Sequence, residues 1–346
     1  MDERWYHRPG ENDDIIQVSR VRLLRNFKKW VFPGRMTEKD REELMTEVDT
    51  RLPRLPEILG QSIQKLRTDE LTEAEKLTLQ ERLLINKATL EQQEKALVYA
   101  SADEAFSMTV GGADHVRLLL SEHGQNLYSL YERLEQVDSY IDSRIPYAFS
   151  KKIGFKTSTL ANVGTGMRAY YVMHLPLLSE SRNFQTLSRE MIKFGVVMKE
   201  AWISGAKTIG GLYVLYNQRT LGLQEKELMD ILTNVANRLM GEERELRDKL
   251  QQLSLEDRVC RSYGILKYAK QLDFPEGCKH LSNILLGAST GLLTVRGDLS
   301  VYELMLGIFP GNLQFYYKTQ ADDAEVRVLR AKYLQEYLKF ISLEES

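Results

Sequence analysis

The chain of 346 residues is poor in the residues that mark most small-site chemistries. Cysteine occurs only twice, at Cys260 and Cys278, which excludes a disulfide framework and a zinc ribbon. Both are read as small core hydrophobes of a protein kept in a reducing compartment. The five histidines lack metal-ligand spacing, so no zinc centre is expected. No apolar run approaches the roughly 18 residues of a spanning helix. The N-terminus is charged from Asp2 onward and has no apolar signal core. The expectation is a cytoplasmic protein with no membrane partner. Formal net charge is only -2, too little for a bulk field that would attract nucleic acid. The pairs Lys28-Lys29 and Lys151-Lys152 read as solvated surface. Any anion site must therefore be local.

What is present is a mixed pattern of hairpins and helices. Residues 37–95 are rich in Leu, Glu and Lys and read as helices broken near Pro53 and Pro56. Residues 95–120 alternate as strands around Ser101-Ala102-Asp103-Glu104, and 121–150 carry helical spacing. Gly154 to Thr159 reads as strand, 164–166 as a glycine turn, and Ser179 to Lys193 as a helix. Strands are expected at 195–198 and 209–216, and a long helix after Gly222. Beyond Ser254 only helices are expected, at 255–271, 276–293 and 322–343. This predicts an α+β protein: an antiparallel sheet with helices against it over residues 1–254, and an all-helical domain over 255–346.

The most informative segment is Val18-Ser19-Arg20-Val21-Arg22-Leu23-Leu24-Arg25-Asn26. On a strand, Arg20 and Arg22 project from one face. Adjacent like charges on a strand are tolerated when an anion lies between them, and paired guanidinium forks suit phosphate or carboxylate. Two solvated arginines on an edge strand remain the plain alternative. Asp114-His115-Val116-Arg117 adds a third arginine at a strand, and Asn162-Val163-Gly164-Thr165-Gly166-Met167-Arg168-Ala169 joins a small-residue turn to a fourth.

Together with Asn217-Gln218-Arg219-Thr220-Leu221-Gly222 and Leu255-Glu256-Asp257-Arg258-Val259-Cys260-Arg261-Ser262-Tyr263-Gly264, these segments resemble the bacterial protein arginine kinases. These are a branch of the ATP:guanidino phosphotransferase, or phosphagen kinase, family. The resemblance runs from about Trp5 to Arg330. It implies a curved antiparallel sheet, with ATP phosphates in an arginine cage and Mg²⁺ carried mainly by phosphates and water. The cage positions are Arg20, Arg22, Arg117 and Arg168, with Lys199 at the fifth and His115 toward the base.

The resemblance also exposes departures. The two glutamates that hold the guanidinium acceptor fall on Gly112 and Ser204, and an acceptor-side cysteine falls on Thr159. A phosphoarginine-reading Arg-Asp-x-x-Arg-Ala becomes Val326-Arg327-Val328-Leu329-Arg330-Ala331, without the carboxylate that a guanidinium needs. The implied reading is a pseudokinase that binds ATP and serves a regulatory or scaffolding role in protein quality control. Its implied partners are a zinc-binding activator or adaptor protein, an ATP-dependent protease system and a second copy in a homodimer. The alternatives are an active kinase with a relocated base, Glu200 or Glu104, and an assembly partner that binds no nucleotide. The aromatic group Phe315, Tyr316, Tyr317, Tyr333, Tyr337 and Phe340 reads as C-terminal core or as a docking surface.

Overall fold

The computed structural model describes residues 4–91, 95–201, 203–204 and 207–343. The arginine pair lies on strand β1 (Ile16–Arg25). Helices α1 (Glu38–Arg51) and α2 (Leu55–Leu59) follow, then β2 (Ile63–Arg67), α3 (Glu73–Glu81) and α4 (Lys87–Glu91). Thr37 and Thr72 begin α1 and α3 with reciprocal side-chain caps to Asp40 and Glu75, which satisfy amides that a helix start leaves open. A meander of β3 (Leu97–Ser101), β4 (Phe106–Val110) and β5 (Val116–Glu122) leads to α5 (Leu127–Arg144). The short pair β6 (Phe149–Ser150) and β7 (Gly154–Phe155) precedes β8 (Met167–His174), α6 (Pro176–Glu180) and α7 (Phe184–Lys193). Next come β9 (Val196–Glu200), the pair β10 (Ile203–Ser204) and β11 (Lys207–Thr208), then β12 (Leu212–Asn217) and α8 (Glu225–Lys249).

The main sheet has eight strands in the order β2-β3-β4-β5-β1-β8-β12-β9, and each neighbouring pair is antiparallel. Its two faces are chemically different. Val21, Leu23, Leu118, Leu120, Tyr171 and Leu215 are buried on one face. Helices α5 and α8 cover that face: Arg25 reaches Asp138 of α5, and Tyr171 Oη lies 3.0 Å from Thr233 Oγ1 of α8. Arg20 and Arg22, one residue out of phase, take the other face.

The C-terminal region is built on α9 (Gln252–Tyr268), α10 (Phe274–Ser289), α11 (Val301–Gly307), α12 (Pro310–Tyr317) and α13 (Asp323–Leu338). A ribbon of β13 (Leu293–Val295) and β14 (Ile341–Leu343) is added to these helices. Tyr333 is buried there, whereas Phe315, Tyr316 and Phe340 are exposed. Cys278 is core, but Cys260 is exposed.

Several local expectations shift. β2 falls in a stretch read as helical. It is an edge strand paired only to β3, so its partner rather than its own pattern decides its state. The strand expected over 154–159 shrinks to Gly154–Phe155. The central strand β8 lies where no element was expected, and the helix from Ser179 divides into α6 and α7.

The helical region is joined to the sheet side through α3 and α12. Glu81 accepts from the Gly311 amide at 2.9 Å and the Asn312 amide at 2.7 Å, which closes the start of α12. Arg82 donates to Asn312 Oδ1 at 2.7 Å and to Glu104 Oε1 at 2.7 Å. A side chain at Gly311 would collide with Glu81 and Leu77, so glycine permits this approach. Burial outweighs the two amides and pushes the Glu81 carboxyl up to about 7. The folded chain therefore holds this proton more tightly than the unfolded chain does. The contribution is fully present below about pH 4.3, the unfolded glutamate value, and is lost as pH rises through about 7. Urea unfolding of Glu81→Gln against wild type should show a wild-type stability that declines more steeply between pH 5 and 7, by up to about 3 kcal/mol. Parallel pH profiles would contradict this.

Candidate anion-binding site

Strand register collects the basic residues. Arg22 is directly opposite Arg168 across β1 and β8, and Arg117 is opposite Leu24 across β5 and β1. Opposite residues share a face, as do residues two apart. Arg20, Arg22, Arg117 and Arg168 therefore lie on one face. Lys199 joins them, because Tyr170 pairs with Tyr216 and Val214 pairs with Lys199. The four arginines are half-buried and Lys199 is exposed.

Their polar partners are few. Arg20 Nε donates to Ser121 Oγ at 2.8 Å, and Arg22 Nη2 donates to Asn162 Oδ1 at 3.0 Å. Arg168 lies over the Tyr216 ring at 5.1 Å from its centroid, with Lys199 Nζ at 5.8 Å. Arg22 Nε, Arg117 Nη1 and Arg168 Nε are buried without a hydrogen-bond partner among the described residues. Among the described residues no carboxylate forms an ion pair with any of the five cations. Burial holds the Arg20 and Arg22 guanidiniums below the ordinary arginine range. Arg117 is pushed down to about 10, by burial first and then by the charges of Arg22 and Arg20.

Arg25 shows what a satisfied arginine looks like in the same strand. Its Nε and Nη2 bind Asp138 at 2.7–3.1 Å, and its Nη1 donates to Leu24 O at 3.0 Å and Thr165 O at 2.9 Å. The guanidinium stacks 3.6 Å above the Phe155 ring.

The glycine turn is closed by backbone hydrogen bonds. Thr165 N donates to Thr220 O at 2.9 Å, and Gly164 N donates to Phe155 O at 3.3 Å. These amides are used within the backbone rather than offered to an anion. Gly164 has φ +114, and a Cβ there would meet the Thr220 backbone. Thr220 Oγ1 donates to Val163 O at 2.7 Å, and Asn217 brackets the start of β8 through Ala169 N and Met167 O. This buckle sets Asn162 beside Arg22 and Arg168 on β8.

His115 is a correction. It is fully buried; Nδ1 accepts from Phe27 N at 3.0 Å, and Nε2 lies 2.7 Å from Val31 O. With both ring nitrogens engaged it offers nothing to a base, and it pins the chain leaving β1. Asp114 is likewise internal, accepting from Asn26 Nδ2 at 2.6 Å and Ser158 N at 2.7 Å.

The acceptor-side positions carry no acid. Gly111, Gly112 and Ala113 all lack a carboxyl. A Cβ on Gly112 would lie 3.2 Å from Thr89 Oγ1 of α4, so α4 already occupies the adjoining space. Ser204 lies on β10, its backbone opposite Lys207. Thr159 is exposed and precedes the turn Leu160–Asn162. Neither proposed substitute acid faces the arginines. Glu104 pairs with Arg4 and Arg82 at 2.7 Å each, and Glu200 is on the face opposite Lys199, its neighbour on β9. In the helical region, Arg330 is buried, with Nε on Ile308 O at 2.9 Å and Nη1 on Leu272 O at 2.8 Å. It is a packing arginine here, and Val326 beside it is core.

Comparison with known proteins fits this arrangement. The family profile "ATP:guanido phosphotransferase, C-terminal catalytic domain" matches residues 44–246, and "Protein-arginine kinase McsB C-terminal domain" matches 252–346. The chain belongs to the ATP:guanido phosphotransferase family, in its protein-arginine kinase branch. It is 33% identical to the protein-arginine kinase of Shouchella clausii, over 97% of this chain and 94% of that one. It is 30% identical to the protein-arginine kinase of Clostridium acetobutylicum, over 97% of this chain and all of that one. The crystal structure of lombricine kinase shares the fold, with TM-score 0.61 at 16% identity, covering 72% of this chain and 71% of that one. Within this guanido phosphotransferase frame, Ser107, Thr109, Ser121 and Tyr216 are site neighbours that motif reading missed, while Asn162 opens a motif it did quote. Strand register in the fold finds them: Ser107 and Thr109 through β4 and β5, Ser121 through β5 and β1, and Tyr216 through β8 and β12.

The site predicts its own destabilisation. Arg117→Met removes a buried, repelled charge, so ligand-free stability in urea should rise by about 1–3 kcal/mol. The same variant should lose stabilisation by added tripolyphosphate. A drop in ligand-free stability would show that Arg117 is compensated within the fold.

Proposed function

We propose that this chain binds Mg-ATP through the arginine face and transfers phosphate to a guanidinium poorly or not at all. Its role would then be regulatory or scaffolding within protein quality control. The observation that carries the reading is the set of Arg20, Arg22, Arg117, Arg168 and Lys199 on one sheet face without an ion-pairing carboxylate among the described residues. Orphaned guanidinium nitrogens on three of these residues match the need of a triphosphate for many donors. The described residues hold no cluster of three metal-ligating side chains. Magnesium therefore fits this site as an ion carried by phosphates and water, where it would supply charge neutralisation on the transferring group.

The acceptor half argues for weak transfer. A guanidinium is a cation and a poor nucleophile, and it needs carboxylates to hold it and favour loss of its proton. Gly112 and Ser204 supply none. Loss of one such stabilising group commonly lowers rate by about 10²–10³, and two groups acting as a unit do not add simply. Likeness to protein-arginine kinases extends the proposal to their setting: a cytoplasmic homodimer working with a zinc-binding adaptor and an ATP-dependent protease.

Two measurements test this. Mg-ATP should raise the melting temperature of the full chain, as a ligand bound only to the folded state does. Labelled ATP with an arginine-rich protein acceptor should leave no acid-labile phosphate above background. Robust labelling would overturn the pseudokinase reading. Gly112→Glu with Ser204→Glu should restore labelling, and adding Thr89→Ala should raise it further by relieving the 3.2 Å approach of Thr89 Oγ1.

A further inference from the structure

On β4, next to the arginine face, Thr109 is buried and its Oγ1 has no hydrogen-bond partner. Thr109 is directly opposite Arg117 on β5, whose Nη1 is also buried and unpartnered. Side chains opposite each other in an antiparallel pair stand about 5 Å apart at Cβ. A hydroxyl oxygen accepts and a guanidinium nitrogen only donates. Two residues carrying complementary, unsatisfied atoms thus face each other across the ladder with no hydrogen bond between them. On its other side Thr109 is opposite the fully buried Val98 of β3. Valine at 109 would fill the same volume and leave no orphaned hydroxyl, so packing alone gives no reason for threonine.

We infer that Thr109 is a positioning residue for Arg117, and that its hydroxyl accepts from Arg117 Nη1 when a phosphate chain occupies the arginine face. In the ligand-free chain, Arg20 and Arg22 repel the Arg117 guanidinium. A polyphosphate neutralises those charges and binds the outward edge of the fork. The inner edge then settles on Thr109 Oγ1, and one hydrogen bond satisfies both orphans. Ser107 is two residues earlier on the same face, with an unpartnered Oγ opposite Leu119 rather than an arginine. It is not given this role. The inference rests on the reading of this face as an anion site, and it adds a residue outside the resemblance motifs.

The test uses the full chain with inorganic tripolyphosphate and with Mg-ADP, measured by calorimetry and by urea unfolding. Thr109→Val should bind tripolyphosphate about tenfold more weakly, yet its ligand-free urea midpoint should lie above that of wild type. Thr109→Ser keeps the hydroxyl and should bind within about twofold of wild type. The opposed signs separate positioning from a merely structural role, which would lower stability and binding together. Equal binding by wild type and Thr109→Val would overturn the inference and leave the anion site standing, as would a Thr109→Ser variant that binds as weakly as Thr109→Val. Absence of tripolyphosphate and Mg-ADP binding by wild type would overturn both.

Discussion

Repulsion among guanidiniums fixed by strand register is the constraint on which the rest of this molecule depends. Arg22 and Arg168 are direct partners across β1 and β8, with Arg117 and Arg20 on the same face. The backbone ladder leaves them no way to separate. One residue decides between two regimes: Arg25 falls on the helix-covered face, where Asp138 and Phe155 satisfy it. A slip of one residue would put the unpaired arginines into the core and the paired one outside it. Natural sheets rarely keep uncompensated like charges at adjacent positions. Here no described carboxylate compensates them, so the ligand-free fold carries the unfavourable term.

The segment around Asp114 shows how a site motif divides into parts. Asp114 and His115 hold Asn26, Ser158, Phe27 and Val31 in place. Those contacts keep the exit of β1 and the entry to β5 together and need no ligand. Gly111, Gly112 and Ala113 contribute backbone only, and α4 crowds against Gly112. A motif match across the whole segment therefore speaks to the scaffold, while the acceptor chemistry depends on positions that match least.

Much of the sheet was legible because its strands alternate or sit between clear turns. β1, β3, β4 and β5 follow that pattern, and the long amphipathic α5 and α8 stand out by period. β8 was not legible. Met167-Arg168-Ala169-Tyr170-Tyr171-Val172-Met173-His174 is nearly continuous in bulky residues, because it is central and contacts both layers. Short buried runs of this kind do not separate helix from strand by periodicity. Without β8 the cross-strand partner of Arg168 is unknown. Four arginines could then be named as a set, but not as neighbours. His115 misled for a related reason: a histidine inside a site motif is chemically suited to a ligand, and only the fold shows both ring nitrogens engaged. Thr109 carried no sequence signal at all, since threonine is an ordinary strand residue.

The helical region meets the sheet side through specific side-chain contacts. Trp5 packs near Tyr302 of α11, with ring centroids 6.1 Å apart, and His7 Nε2 lies 3.0 Å from Glu303 Oε2. Tyr302 is buried beside Arg20, and burial raises its phenol above the ordinary tyrosine range, so it stays uncharged. A ligand changes a distant element only through interactions that differ between the bound and free states. Tyr302 is carried by α11 of the C-terminal region, so one residue of the arginine face lies near that region. The outer end of that region is held separately, by Glu81 at the start of α12. A chain that bound phosphate at this face without transferring it would have to act through its shape, and that requires contacts that differ between its bound and free states.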